Sequence, residues 1–153
     1  MIDEIDRKIL SILMRNAKMP YTEVAKAAHV SGGTVHVRMK KMEDLGVVKG
    51  FNLAIDHSKL GYDITAYLGI YLEKSSFYDE VSLALRDIPE VVSAHYTTGN
   101  YSIFARIVCR DTKHLLELLH NKVQLINGIQ RTETFISLEE NIDRPLTVYE
   151  EEG

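Results

Sequence analysis

At 153 residues the chain has room for one ordinary domain or two small ones. Its 45% hydrophobic and 26% charged residues are the balance of a globular chain, and no apolar run approaches the roughly 18 residues of a membrane span. The net charge of −4 hides an asymmetry: up to Gly50 there are nine Lys and Arg against six Asp and Glu, and beyond it nine against sixteen, so only the first third suits a polyanionic partner.

The opening MIDEIDRKIL carries charges where a secretory signal would need its apolar stretch. Residues 3 to 46 read as three helices. In the first, Ile5, Ile9, Ile12 and Leu13 recur at helical spacing, with Asp3 or Asp6 as a cap. Asn16 to Pro20 breaks the pattern, and a short second helix follows with Thr22 as its expected N-cap and Val24, Ala25 and Ala28 inside. HVSGG is a turn in which Ser31 caps a third helix running to Leu45, ended by Gly46. Two helices joined by a short turn form helix-turn-helix geometry.

On the third helix Val35, Met39 and Met42 share one face, which should pack on the first two helices. The opposite face holds Gly33, Val37, Lys40 and Asp44, flanked by Thr34, His36 and Lys41. Small residues near a helix N-terminus let it sit deep in a major groove, where polar and apolar groups meet base edges and lysines reach phosphates. The candidate DNA-binding set is therefore Ser31, Gly33, Thr34, His36, Val37, Arg38, Lys40, Lys41 and Lys49. For Arg38, whose helical angle puts it beside Met42 and Leu45, phosphate binding and an intramolecular ion pair stand as equal alternatives.

Val47 to Leu53 suits a short strand or wing, and 51–61 reads as a connecting strand and hinge, with Asp56 to Gly61 as the hinge. The remainder reads as βαββαβ. Ile64 to Leu72 is a strand, and Phe77 to Ile88 an amphipathic helix with Val81, Leu85 and Ile88 inward. Val91 to Thr98 and Tyr101 to Cys109 form a hairpin about Gly99-Asn100. A helix from Thr112 to Val123, with Leu115, Leu116 and Leu119 apolar, precedes a last strand from Thr132 to Leu138. Glu150 to Glu152 reads as a frayed acidic end. The single Cys109 excludes an intrachain disulfide, fits a reducing cytoplasm, and reads as a small buried residue on a strand.

Enzyme chemistry finds no foothold: there is no phosphate-binding glycine loop, no zinc-ligand spacing and no nucleophile with an evident base. The six histidines form no metal set, since His114 and His120 fall about 240° apart on one helix. YSIFARIVC lacks the basic-Gly-aromatic start of the common RNA-binding motif.

IDRKIL followed by AKMPYTEVAKAAHVSGGTVHVRMKKMEDLGVVKGF resembles the DNA-binding half of the Lrp/AsnC, or feast/famine, regulators. YTTGNYSIF, and later GIQRTET, resemble the ligand-binding half, so the resemblance runs from about Asp3 to Leu138. LGYD, VHVR and TTGNYSIF are most similar to the asparagine-responsive type. The resemblance implies an α+β chain: a winged helix-turn-helix over 1–50, then a βαββαβ ferredoxin-like effector-binding and oligomerisation domain over 62–153. It implies double-stranded DNA as partner, a nucleoid-associated cytoplasmic location, homodimers that gather into octamers, and an amino acid effector, with asparagine the candidate. No cofactor or membrane is implied. The effector-binding residues it implies are Thr98, Gly99, Tyr101 and Ser102 at the hairpin with Gln130, Thr132 and Thr134 on the last strand. Glycine amides there could hold a carboxylate, carbonyls and hydroxyls an ammonium, and Gln130 a side-chain amide. Two positions depart from the family. Gly32-Gly33 stands where Pro-Ser is common, and Ser102 where many relatives carry an acidic residue, which removes a ready partner for the ligand's ammonium. An architectural DNA-organising protein without a ligand signal is the alternative that the same first third would serve.

Overall fold

A computed structural model describes residues 1–150 in two compact units. One comprises Met1–Ala54 together with the chain from Ile142 onward, and the other is Ile55–Asn141. The tail after the last strand thus belongs with the first unit, where the expected boundaries had left it with the second. The acidic end expected at Glu150 to Glu152 lies largely outside the described residues. Among the described residues no helix is long and apolar enough to cross a membrane.

The first unit is built from α1 (Glu4–Arg15), α2 (Tyr21–Ala28) and α3 (Gly32–Asp44). A reciprocal capping box starts α1: Asp6 N donates to Asp3 Oδ1 at 2.9 Å, and Asp3 N donates to Asp6 Oδ2 at 3.0 Å. The α2 start corrects the expected Thr22 cap. Pro20 occupies the N-cap with no side-chain bond, its carbonyl accepts from Glu23 N and Val24 N, and Thr22 lies inside the helix. The fixed φ of proline sets the extended entry that a capping side chain would otherwise stabilise. Ser31 caps α3 as expected, its Oγ accepting from Thr34 N at 3.1 Å, and Gly46 at φ +72° turns the chain away after Leu45.

Ile9, Leu13, Val24, Val35, Met39 and Met42 form the core of this unit. The tail lines an apolar groove with Pro145, Leu146 and Val148 beside Leu10, Leu13 and Met14, and Lys8 Nζ stands 5.8 Å from the Tyr149 ring centre. One expectation fails on α1: Ile5 lies at the surface, and the core position one residue later belongs to a carboxylate, Asp6, which is fully buried. Its Oδ1 accepts from Arg38 Nη1 at 2.9 Å and its Oδ2 from Lys41 Nζ at 2.5 Å. Arg38 Nη1 also reaches Asp3 Oδ1 and Oδ2 at 2.8 and 2.7 Å. Four charged side chains therefore pin the start of α1 to the middle of α3.

Val47 to Leu53, expected as a strand or wing, forms no strand. A strand needs a neighbouring backbone, and among the described residues this stretch pairs with none. The expected hinge at Asp56 to Gly61 is a single 3₁₀ turn, His57–Leu60, capped by Asp56.

The second unit follows the expected βαββαβ order. Its elements are β1 (Ile64–Leu72), α4 (Tyr78–Arg86), β2 (Val91–Tyr96), β3 (Ile103–Cys109), α5 (Thr112–Asn121) and β4 (Ile129–Ile136). The sheet is antiparallel in the order β2-β3-β1-β4. Ala66, Leu68 and Ile70 of β1 and Ile103, Ala105 and Ile107 of β3 alternate into one core with Val81 and Leu85 of α4 and Leu115 and Leu118 of α5. Leu116 points to solvent instead of joining Leu115 and Leu119, and His114 takes a buried place. Cys109 is buried on its strand, as expected. β4 begins at Ile129, earlier than Thr132, because a bulge opposite Tyr71 and Leu72 carries the pairing back to Ile129.

Within this unit α4 and α5 both pack on that one face, and neither covers the other face of the sheet. Tyr67 stacks on Phe104 with ring centres 5.8 Å apart, and Tyr101 and Phe135 extend the aromatic group. Gly69 lies beneath the Tyr101 ring, where a Cβ would fall 2.5 Å from Cδ1 and Cε1. The ring is held from its far end as well, by a 2.5 Å hydrogen bond from its hydroxyl to Glu133 Oε2.

Two outcomes follow. Asp6→Asn should destabilise the first unit by about 1–3 kcal/mol, the range for a buried charged hydrogen-bonding group, in urea unfolding followed by circular dichroism. Burial raises the Asp6 pKa, but the hydrogen bonds from Lys41, Asp3 N and Arg38 outweigh it and hold the carboxyl at about 2. A lowered pKa means that this stabilisation is complete above the ordinary carboxyl range and fades as pH falls toward 2, so wild type and variant should converge there. Gly69→Ala should expel the Tyr101 ring, lowering stability by about 1–3 kcal/mol and changing the near-ultraviolet tyrosine signal.

Candidate functional site

The outward face of α3 is one candidate surface. Val35, Met39 and Met42 are buried, which leaves Gly33, His36, Val37 and Lys40 exposed on the other side. Val37 is 71% exposed, an apolar side chain with no core to join. His36 is steadied by an edge contact with Tyr21 of α2, ring centres 4.6 Å apart. Ser31 and Thr34 face each other at 2.8 Å across their hydroxyls, so both serve the cap as well as the surface. Gly32 and Gly33 have open space where a side chain would begin, except for Ser31 Oγ at 3.9 Å from a Cβ on Gly33. A close-approaching surface could therefore reach the backbone there.

The cations expected on this face divide into groups. Lys49 is exposed. Lys40 pairs with Asp44 at 2.7 Å, one turn along, in an exposed contact of the kind that exchanges readily with solvent or a phosphate. Arg38 and Lys41 are committed inward to Asp3 and Asp6, which resolves the Arg38 alternatives in favour of the ion pair in the free chain. Residue patterning missed Asp6 as their anchor. The signal was present: Asp6, Ile9 and Leu13 stand at i, i+3 and i+7, which places the carboxylate on the buried stripe.

The second candidate surface lies at the hairpin between β2 and β3. The turn is wider than the expected tight pair at Gly99-Asn100: pairing ends at Tyr96 and resumes at Ile103, and Thr97 N donates to Ser102 O at 3.0 Å. Thr97 Oγ1 donates to Tyr101 O at 2.7 Å, and Gly99 adopts φ +95° at the tip. Ser102 N donates to Ile70 O at 2.9 Å, and Ile70 stands opposite Thr132 of β4. Ser102 and Thr132 thus flank β1 from its two sides, roughly 10 Å apart at two strand spacings. Thr134 is opposite Leu68, two residues further along, and Gln130 is exposed at the bulged start of β4.

Tyr101 does not join them. Its ring lies on the helix-free face over Gly69, and the Glu133 bond, with burial, pushes its hydroxyl up to about 12. Glu133 was not among the expected residues, yet it gathers Tyr101, Tyr71 at 3.3 Å and Arg131 at 3.3 Å. Period-two alternation along β4 does put Glu133 on the face opposite Thr132 and Thr134, but only the register shows which ring it meets.

Comparison with known proteins gives both units a relation. The AsnC-type helix-turn-helix domain matches residues 2–43, and the Lrp/AsnC ligand binding domain matches residues 65–147. The regulatory protein AsnC of Haemophilus influenzae is 46% identical over 145 residues, 95% of this chain and 97% of that one. The solved structure of Escherichia coli AsnC superposes with a TM-score of 0.91 at 41% identity, covering 96% of this chain and 99% of that one. A Neisseria meningitidis transcriptional regulator solved as an L-Met complex shares the fold, with a TM-score of 0.88 at 19% identity over 94% of each chain. These relatives are regulators and not enzymes. With both domains matched in order and near-complete coverage by a close relative, the chain belongs to the Lrp/AsnC family of ligand-modulated, DNA-binding transcriptional regulators.

Proposed function

We propose that this regulator reads operator DNA with Ser31, Gly33, Thr34, His36, Val37 and Lys40 of the α3 face, and that Lys49 contacts phosphate. The observation that carries this reading is Val37, a largely exposed apolar side chain between His36 and Lys40 on a helix whose opposite face is wholly buried. Such a group suits a thymine methyl, while the glycines before it allow close approach. Arg38 and Lys41 act on DNA through the placement of α3, because Asp3 and Asp6 hold their charges.

An amino acid effector, asparagine the first candidate, occupies the hairpin and β4 region formed by Thr98, Gly99, Ser102, Gln130, Thr132 and Thr134, with Tyr101 shaping it from the other face. That a Neisseria protein of the same fold was solved as an L-Met complex supports the class of ligand. The protein acts as a homodimer that gathers into octamers on nucleoid DNA. The aromatic face at Tyr67, Phe104 and Phe135 offers an apolar surface, and the unpaired stretch with exposed Val47, Phe51 and Leu53 an edge, on which a second copy would pack. Regulation is then linkage: the effector shifts operator affinity by as much as it prefers one assembly state.

Two measurements test this. In salt titrations of operator binding, Lys49→Ala and Lys40→Ala should each reduce the slope of log K against log salt by about 1 per subunit contact, while Arg38→Lys should leave the slope unchanged. A thermal-shift panel of the twenty amino acids should show stabilisation by asparagine, near 2.7 kcal/mol at about 100 times its dissociation constant. A flat panel would leave the architectural, DNA-organising reading in its place.

A further inference from the structure

Tyr21 opens α2 directly after Pro20, whose φ of −60° sets the entry to the helix. Its ring is half-buried against the core of the first unit, which holds the side chain in place. The same ring meets His36 of α3, with centres 4.6 Å apart and planes at 68°. In that edge-on geometry the positive rim of one ring faces the π-cloud of the other, an attraction that shifts a conformational equilibrium by about two- to tenfold.

The helix that carries His36 supplies little to hold it. A helical side chain leans back over the residues three and four places earlier. Here those are Gly33 and Gly32, which have no side chains; a Cβ on Gly32 would meet nothing within 4 Å, and one on Gly33 only Ser31 Oγ at 3.9 Å. Three and four places later stand Met39, turned into the core, and Lys40, whose ammonium bonds Asp44 at 2.7 Å. The hydroxyls of Ser31 and Thr34 bond each other, and among the described residues neither His36 ring nitrogen has a hydrogen-bond partner. An exposed imidazole with both nitrogens open can donate to or accept from a base edge, and a ring ordered in advance loses less freedom on contact.

We propose that Tyr21, on the supporting helix, is a specificity determinant for DNA: it is the positioning residue that fixes the His36 ring, and His36 is the group that meets a base edge. The inference rests on the reading of α3 as the face that enters the groove. Within that reading the glycine pair has two effects. It lets the helix start approach DNA closely, and it strips His36 of the helical neighbours that would otherwise order its ring. The aromatic contact from α2 replaces them, so the preference at one base pair is set partly by a residue that touches no base.

The test uses the full chain and a duplex selected from a randomised pool, with each base pair of the selected half-site then replaced in turn and binding read by fluorescence anisotropy. His36→Ala should lose discrimination at one base pair, by about fivefold or more, and Tyr21→Leu should lose it at that same base pair. Tyr21→Phe, which keeps the ring, should discriminate as the wild type does. The double variant Tyr21→Leu, His36→Ala should discriminate no worse than His36→Ala alone. Tyr21→Met serves where Tyr21→Leu folds poorly by circular dichroism. In the unbound wild type, nuclear Overhauser contacts between the Tyr21 and His36 ring protons report the geometry without any substitution. The proposal is overturned if those contacts are absent, or if a folded Tyr21→Leu or Tyr21→Met discriminates normally. It is equally overturned if Tyr21→Phe fails as Tyr21→Leu does, which makes the hydroxyl the active group, or if discrimination falls evenly along the half-site, which makes the packing of α2 on α3 the cause. If His36→Ala discriminates normally and Val37→Ala does not, the proposal falls and the reading of α3 stands; if neither residue matters, both fall.

Discussion

A fully buried carboxylate shared between two cations governs the DNA-binding unit. Asp6 sits where the α1 stripe would ordinarily place an aliphatic residue, and it is tolerated because both oxygens are occupied: Oδ1 by Arg38, Oδ2 by Lys41 and by the Asp3 amide. A buried charge contributes little to stability when compared with good apolar packing, but its geometry is exacting. Two donors from successive turns of α3 must both reach one group at the start of α1, which restricts rotation of α3 about its own axis. Rotation is the freedom that decides which side chains face outward, so Val37, His36 and Lys40 are displayed by a constraint located on the other side of the helix. The same arrangement explains how a helix can be rich in cations and still offer few of them to a phosphate backbone.

The sheet divides labour differently. Its helix-covered face supplies the core, while the free face is aromatic and carries Glu133, which accepts from the hydroxyls of Tyr71 and Tyr101. Gly69 is what allows this, since any side chain there would meet the Tyr101 ring and break the link between hairpin and β4 on that face. Ser102 and Thr132 are linked on a different route, through the backbone of Ile70. The hairpin is thereby attached to the strands beside it twice, once through a side chain and once through the main chain, and a ligand near its tip would act on a loop that is already anchored.

Much of this was legible in the sequence. The apolar periods of α1, α3, α4 and β1 gave the elements and most of the core, Ser31 and Gly46 marked the ends of α3, and βαββαβ followed from alternation and turn residues. What was not legible has physical causes. The α2 start depends on Pro20 geometry and uses no side-chain cap. The stretch from Val47 to Leu53 has the composition of a strand, but composition cannot supply the neighbouring backbone that a strand requires. The inward turn of Arg38 and Lys41 needs Asp6 some 35 residues away in sequence, a pairing that no local pattern encodes. Among the effector candidates, the opposite facing of Tyr101 and Thr132 depends on strand register.

The return of the tail to the first unit alters what counts as the DNA-binding domain. The chain passes between the units after Ala54 and again after Asn141, so the helix-turn-helix unit is discontinuous, with Pro145, Leu146 and Val148 completing the groove beside α1. A fragment that stops at residue 54 lacks part of its own surface, and a truncation at the C-terminus injures the N-terminal unit. Two crossings also make the second unit an insertion within the first in topological terms. One of those crossings lies a few residues beyond β4, so the strand carrying Gln130, Thr132 and Thr134 runs on in sequence into the segment that completes the first unit.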